Sequence, residues 1–164
     1  MQAVSPSALT DLIDRAERAD PALDAALNAL APSVAGNVAP LRAALVPLAQ
    51  AQIALAQATV DIGLVADELR RYQKYAAPGK PSLQIVQLRS YQKYAMPGKP
   101  SLQIVQLRKQ QAAVKQASLI ARQGYAQATH AFLRDSGLTA PARRVPTDFT
   151  TAWLGKVVAA VAAG

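Results

Sequence analysis

The sequence predicts an all-α protein: a long antiparallel helical hairpin with an alanine-rich coiled-coil seam, preceded by two short helices and followed by one. Three observations carry that expectation. Apolar residues recur at seven-residue intervals through two long stretches, 41–76 and 105–133. Proline and glycine gather between the periodic stretches, at 32–40, 78–81, 97–100 and 137–146. The hydrophobic fraction is 51%, yet alanine is its largest part and only 5% of the chain is aromatic, which suits closely approaching backbones better than a thick core.

Taken in order, residues 1–37 hold the short N-terminal helices. Ser5 or Ser7 can cap the first, with Pro6 pre-set for an opening helical position, and Leu9, Leu12, Ile13 and Ala16 then share one face. Asp20-Pro21 repeats the signal before Leu23, Leu27 and Leu30, and residues 32–40 read as a loop. The hairpin is expected over 38–136. In its first helix Leu41, Leu48, Leu55, Ile62, Leu69 and Ala76 fall seven apart, with Ala44, Ala51, Ala58, Val65 and Tyr72 three places after the first five. Pro47 lacks a donor and crowds the carbonyl four residues back, so regular helix is expected only from about Leu48.

Tyr72 to Arg108 is one passage written twice. Residues 72–89 and 91–108 agree at 17 of 18 positions, with Met96 in place of Ala77 and an offset of 19. Helical patterning fixes residue class but not identity, so this is a tandem duplication, placed at the hairpin tip. Each copy carries Pro-Gly-Lys-Pro, which turns the chain. The leg 82–95 between the turns fits a strand through Leu83, Ile85, Val86 and Leu88 or a helix extended by Tyr91 and Tyr94; its helical neighbours favour helix. Two turns around a full helical leg would leave the long helices parallel. One copy absorbed as a loop leaves them antiparallel, and packing over five heptads favours that arrangement.

The second long helix is expected from about Ser101 to Asp135, with Val105, Ala112, Leu119, Ala126 and Leu133 seven apart, flanked by Leu107, Val114, Ala121 and Ala128. Gly124 weakens it by about 1 kcal/mol relative to alanine, and Ser136-Gly137 ends it. Residues 137–164 comprise a linker and an amphipathic helix capped by Thr147 or Asp148, with Phe149, Trp153, Val157, Val158 and Val161 on one face. At 16 residues with Lys156 inside, it is too short to cross a bilayer, and docking in the core or an oligomer is the expectation.

The inventory argues against chemistry. There is no cysteine and one histidine, His130, whose nearest acid, Asp135, lies off its helical face, so no catalytic residue, metal site, cofactor or small-molecule substrate is expected. The acids at Asp11, Asp14 and Glu17 mark a solvated helical face. Residues 43–60 carry no charge, but Gln50, Gln52, Gln57 and Pro47 fit a seam better than a membrane span. No cationic start leads into an apolar run at the N-terminus, so no secretory signal is expected, and a cytoplasmic or virion location follows.

Charge carries the functional content. Residues 1–69 hold eight acids against three arginines, whereas 70–134 hold twelve Lys or Arg and no acid. Arg70, Arg71, Lys74, Lys80, Arg89, Lys93, Lys99, Arg108 and Lys109, interleaved with Tyr72, Tyr75, Tyr91 and Tyr94, are candidates for binding a polyanion, cations on phosphates and tyrosine rings on bases; Lys115, Arg122 and Tyr125 continue the pattern. The competing reading is a solvated face whose tyrosines pack on the seam and whose cations pair with the acidic N-terminal helices. Leu41, Leu48, Leu55, Ile62, Leu69, Val105, Leu119, Leu133 and Trp153 are candidates for the seam or for contacts between subunits. The leading expectation is a structural, self-assembling homo-oligomer, by architectural analogy a virion or secretion-type assembly component. A nucleic-acid or polyanion-binding module comes second, and a peripheral coat of a membrane or hydrophobic inclusion third.

Overall fold

A computed structural model describes residues 4–32, 38–76 and 102–163. All regular structure among them is helical: α1 Pro6–Glu17, α2 Pro21–Leu30, α3 Val38–Ala76, α4 Leu102–Ser136 and α5 Pro146–Ala163. The architecture is an all-α hairpin in which α3 and α4 pack against each other. The chain forms two compact units, Met1–Ala58 with Ser118–Gly164, and Thr59–Ala117, so both long helices contribute to both. The leg 82–95, with both Pro-Gly-Lys-Pro turns, lies outside the described residues.

In the first unit the helix starts follow the caps. Ser5 accepts from the Ala8 amide at 3.3 Å and Asp20 from the Ala22 amide at 3.1 Å, each followed by proline at the first helical position. Between α1 and α2 the chain turns through Ala19, a non-glycine residue at φ 54°. Arg15 clasps this turn, donating to Asp11 at 2.8 Å and to Asp20 at 2.7 Å. The hydrogen bond to Asp11, then that to Asp20, holds its guanidinium above the ordinary range. A raised cation contributes stability that is full below its unfolded value and is lost only as pH climbs through the folded one, in strong alkali.

Three boundaries differ from the sequence reading. α3 begins at Val38, inside the expected loop, because Pro40 falls in a first turn whose amides need no helical acceptor. It runs unbroken through Pro47. Pro47 and Ala43, whose carbonyl loses its partner, are both exposed, so water can serve that carbonyl. α5 begins at Pro146, ahead of the expected caps Thr147 and Asp148, and is 18 residues long; Asp148 complements the dipole of its first turn. Gly137, at φ 72°, ends α4 as expected.

The core of this unit draws on all five helices and is built chiefly of leucine: Leu9 and Leu12, Leu23 and Leu27, Leu41, Leu45 and Leu48, then Phe132 and Leu154 with Val157. α5 lies against α2 and α1. Trp153 meets Phe132 with ring centroids 5.1 Å apart at 47°. The expected stripe on α5 is largely inward, joined by Thr150 and Leu154, which the stripe omits. Gln52 Oε1 and Trp153 Nε1 are buried without a hydrogen-bond partner.

The described residues of the second unit belong to two helices, α3 and α4. Ala66 shares a groove with Gln111 and Tyr72 shares one with Gln103, so residue numbers fall on α4 as they rise on α3 and the pair is antiparallel. Leu69 and Leu107 are its buried hydrophobic side chains among the described residues.

The seam on α3 follows the heptad reading: none of the expected positions from Leu41 to Tyr72 is exposed. On α4 the register is one place away from the expected a positions. The residues turned inward are Ile104, Leu107, Gln111, Val114, Ser118, Ala121, Tyr125, Ala128 and Phe132, alternating three and four apart. The flanking set Leu107, Val114, Ala121 and Ala128 faces inward as expected, whereas Ala112 and Leu119 are exposed and Val105 and Leu133 half-buried. Polar Gln111 and Ser118 occupy seam positions, so counting apolar residues alone selects the neighbouring register.

Candidate functional site

The described cations of the 70–134 run lie on the outside of the helices. Arg70, Arg71, Arg108, Lys109, Lys115 and Arg122 are all exposed. Arg70 meets Asp67 at 3.5 Å and Arg134 meets Asp135 at 3.3 Å, each a neighbour in sequence. Exposed pairs of this kind contribute at most about 1 kcal/mol. Among the described residues no carboxylate pairs with Arg108, Lys109, Lys115 or Arg122. Asp24 instead takes Arg42, at 3.4 Å. Lys74 and Tyr75 belong to the last turn of α3, and Lys80, Arg89, Tyr91, Lys93, Tyr94 and Lys99 lie outside the described residues.

Two grooves flank the helix pair of the second unit and differ in sign. One, of about 290 Å³, is lined by Ala66, Leu69, Arg70, Gln73, Arg108 and Gln111, with two guanidinium groups and no carboxylate among the described residues. The other, of about 200 Å³, is lined by Glu68, Tyr72, Gln103, Gln106, Leu107 and Gln110. Tyr72 is half-buried there, its ring partly committed to the helix pair.

Tyr125 has a different role from the one its place in the basic run suggests. It is 3% exposed, which removes it from stacking on a ligand. Its hydroxyl lies 2.9 Å from Thr150 Oγ1 and 2.7 Å from Thr151 Oγ1, and Thr129 Oγ1 reaches Thr150 Oγ1 at 3.2 Å. Thr150 and Thr151 both donate to the Thr147 carbonyl, at 3.0 and 2.8 Å. The cluster fastens the start of α5 to α4. A Tyr and a Thr four apart on one helix, facing a Thr-Thr pair at the start of another, form a detectable pattern, but only once the two helices are known to meet.

The outer faces also carry aliphatics. Val60, Leu64 and Leu102 in the second unit are 53%, 62% and 74% exposed, and Leu119 and Ile120 in the first are 54% and 60% exposed. His130 is exposed, and no group of acids and histidine among the described residues could hold a metal ion. By length and composition Val38–Gln73 could cross a bilayer, yet this stretch contains Arg42, Asp61, Asp67 and Glu68, and Leu41, Leu45 and Leu48 are buried in the first unit's core. It is not a convincing span.

Comparison with known protein families, curated proteins and solved structures finds no match. The class the fold itself defines is an all-α helical hairpin accompanied by short helices.

Proposed function

We propose that this chain is a non-enzymatic structural protein that self-assembles, copy on copy, through its second unit. The observation that carries the reading is an imbalance within that unit: Leu69 and Leu107 are buried while Val60, Leu64 and Leu102 stand in solvent. Burying an aliphatic side chain gains about 1.5–3 kcal/mol, so a second copy that covers these three adds to what the described residues of the helix pair bury by themselves. Charge favours a second copy as that partner. Residues 59–69 of α3 hold three acids and no base, ahead of Arg70, Arg71 and Lys74, and residues 102–117 of α4 hold three bases and no acid, so the 59–69 stretch of one copy complements α4 of another. A virion or secretion-type assembly, with a cytoplasmic or virion location, is a setting such a chain suits by analogy of architecture. Light scattering at tens of micromolar tests the reading. Oligomers that dissociate in V60K/L64K, with helicity retained, support it; a monodisperse wild-type monomer overturns it.

A second reading, binding of nucleic acid or another polyanion, is favoured by Arg108, Lys109, Lys115 and Arg122 of α4, which pair with no carboxylate among the described residues. The coat reading loses one of its two features, because Trp153, Val157 and Val161 of α5 are buried within the first unit.

A further inference from the structure

We propose that the groove lined by Arg70, Gln73, Arg108 and Gln111 is a phosphate-binding site that takes the backbone of a nucleic acid, an inference that rests on the second reading above. Arginines from two different helices line one recess, and among the described residues no carboxylate lines it with them. Among the described residues Arg70 has the long, exposed contact to Asp67 as its one ion pair. Like charges held in one recess repel each other, and an anion between them turns that repulsion into two attractions. The planar guanidinium fork can grip a phosphate through two parallel N–H donors, and the amides of Gln73 and Gln111 add neutral donors. The roughly 290 Å³ of space equals about ten waters at about 30 Å³ each, enough for a phosphodiester with part of its sugar.

The cation run continues away from the groove along α4. Arg108 and Lys115 are seven residues apart and so on the same side of the helix, about 10 Å from one another. A line of charge leading out of a recess suits a linear chain of phosphates better than a flat layer of headgroups. The opposite groove serves as an internal control, since it presents Glu68 where the first presents arginine.

The test is fluorescence anisotropy of a labelled single-stranded oligonucleotide with the full chain at 50 and 200 mM salt, alongside flotation with phosphatidic-acid vesicles. R70Q/R108Q should bind roughly 10- to 100-fold more weakly at the lower salt, with the salt slope reduced by about 1.4, as expected for two lost phosphate contacts on a single strand. R108K, which keeps the charge but loses the fork, should weaken binding severalfold with the slope unchanged, and E68Q should bind no more weakly than wild type. Wild-type binding that R70Q/R108Q leaves intact overturns this site while the polyanion reading stands. Absence of wild-type binding to both the oligonucleotide and the vesicles overturns both. Vesicle binding without oligonucleotide binding overturns the nucleic-acid assignment. Helicity of each variant, read by circular dichroism, separates lost binding from lost folding.

Discussion

Removing the Tyr125 hydroxyl tests the polar cluster between α4 and α5, and proton counting sets the size of the effect. Thr150 and Thr151 each have one hydroxyl proton, and both are directed to the Thr147 carbonyl at 3.0 and 2.8 Å. Towards Tyr125 these hydroxyls can therefore only accept, and the single tyrosine proton serves one of them at a time. Its 3.4 Å approach to the Thr147 carbonyl is too long to add much. Tyr125→Phe thus deletes one neutral hydrogen bond and leaves the threonines paired, a cost of about 0.5–1.5 kcal/mol. Thr150→Val is the harsher change. It removes a donor to Thr147 and the acceptor that Thr129 Oγ1 uses at 3.2 Å, and Thr129 is fully buried. Leaving that hydroxyl unsatisfied adds roughly 1–3 kcal/mol.

Trp153, the chain's only tryptophan, lies buried in the same unit, so its fluorescence during a thermal melt reports this unit directly. At about 2–4 °C per kcal/mol for a chain of this size, Tyr125→Phe lowers the midpoint by about 1–6 °C and Thr150→Val lowers it further. If Tyr125→Phe proves the more damaging of the two, the proton assignment is wrong and the reasoning fails with it.

Two further changes test the turn and the duplication. Ala19→Gly relieves a left-handed alanine, φ 54°, worth about 1–2 kcal/mol of strain, against about 0.5–1 kcal/mol of added unfolded-state freedom; the Trp153 melt should rise by a degree or two, and a fall counts against strain at this turn. Excising residues 77–95 restores one uninterrupted copy of the repeat, because α3 uses 72–76 of the first copy and α4 uses 102–108 of the second. The Trp153 melt should then stay within about 2 °C of wild type, roughly the effect of 0.5–1 kcal/mol; loss of the transition would mean that the helices need more of the duplicated passage than these residues.

The fold was legible because the chain writes its boundaries in chemistry that acts locally. Ser5-Pro6, Asp20-Pro21 and Ser136-Gly137 stop or start helices through their own backbone preferences, and each does so in the structure. Pro40 and Pro47 lie within α3 against the sequence expectation because proline's cost depends on where its lost hydrogen bond falls. At Pro40 the bond is one that a helix start never makes, and at Pro47 it opens onto water. The cations of the basic run were legible as charge, but which of them share a groove was not. Arg70 and Arg108 are 38 positions apart, and only the antiparallel pairing of α3 with α4 puts both on one recess.

The register of α4 shows how the inside and the outside of the hairpin determine each other. Heptad counting follows the largest aliphatics and would bury Leu119, but the helix can bury one register only. The one observed takes in Tyr125 and Phe132, the bulkiest apolar groups on α4, together with small or polar Ser118 and Gln111. Tyr125 and Phe132 are locked to α5 and Trp153, so the first unit dictates the choice. Once it is made, Leu119 and Ile120 necessarily face solvent.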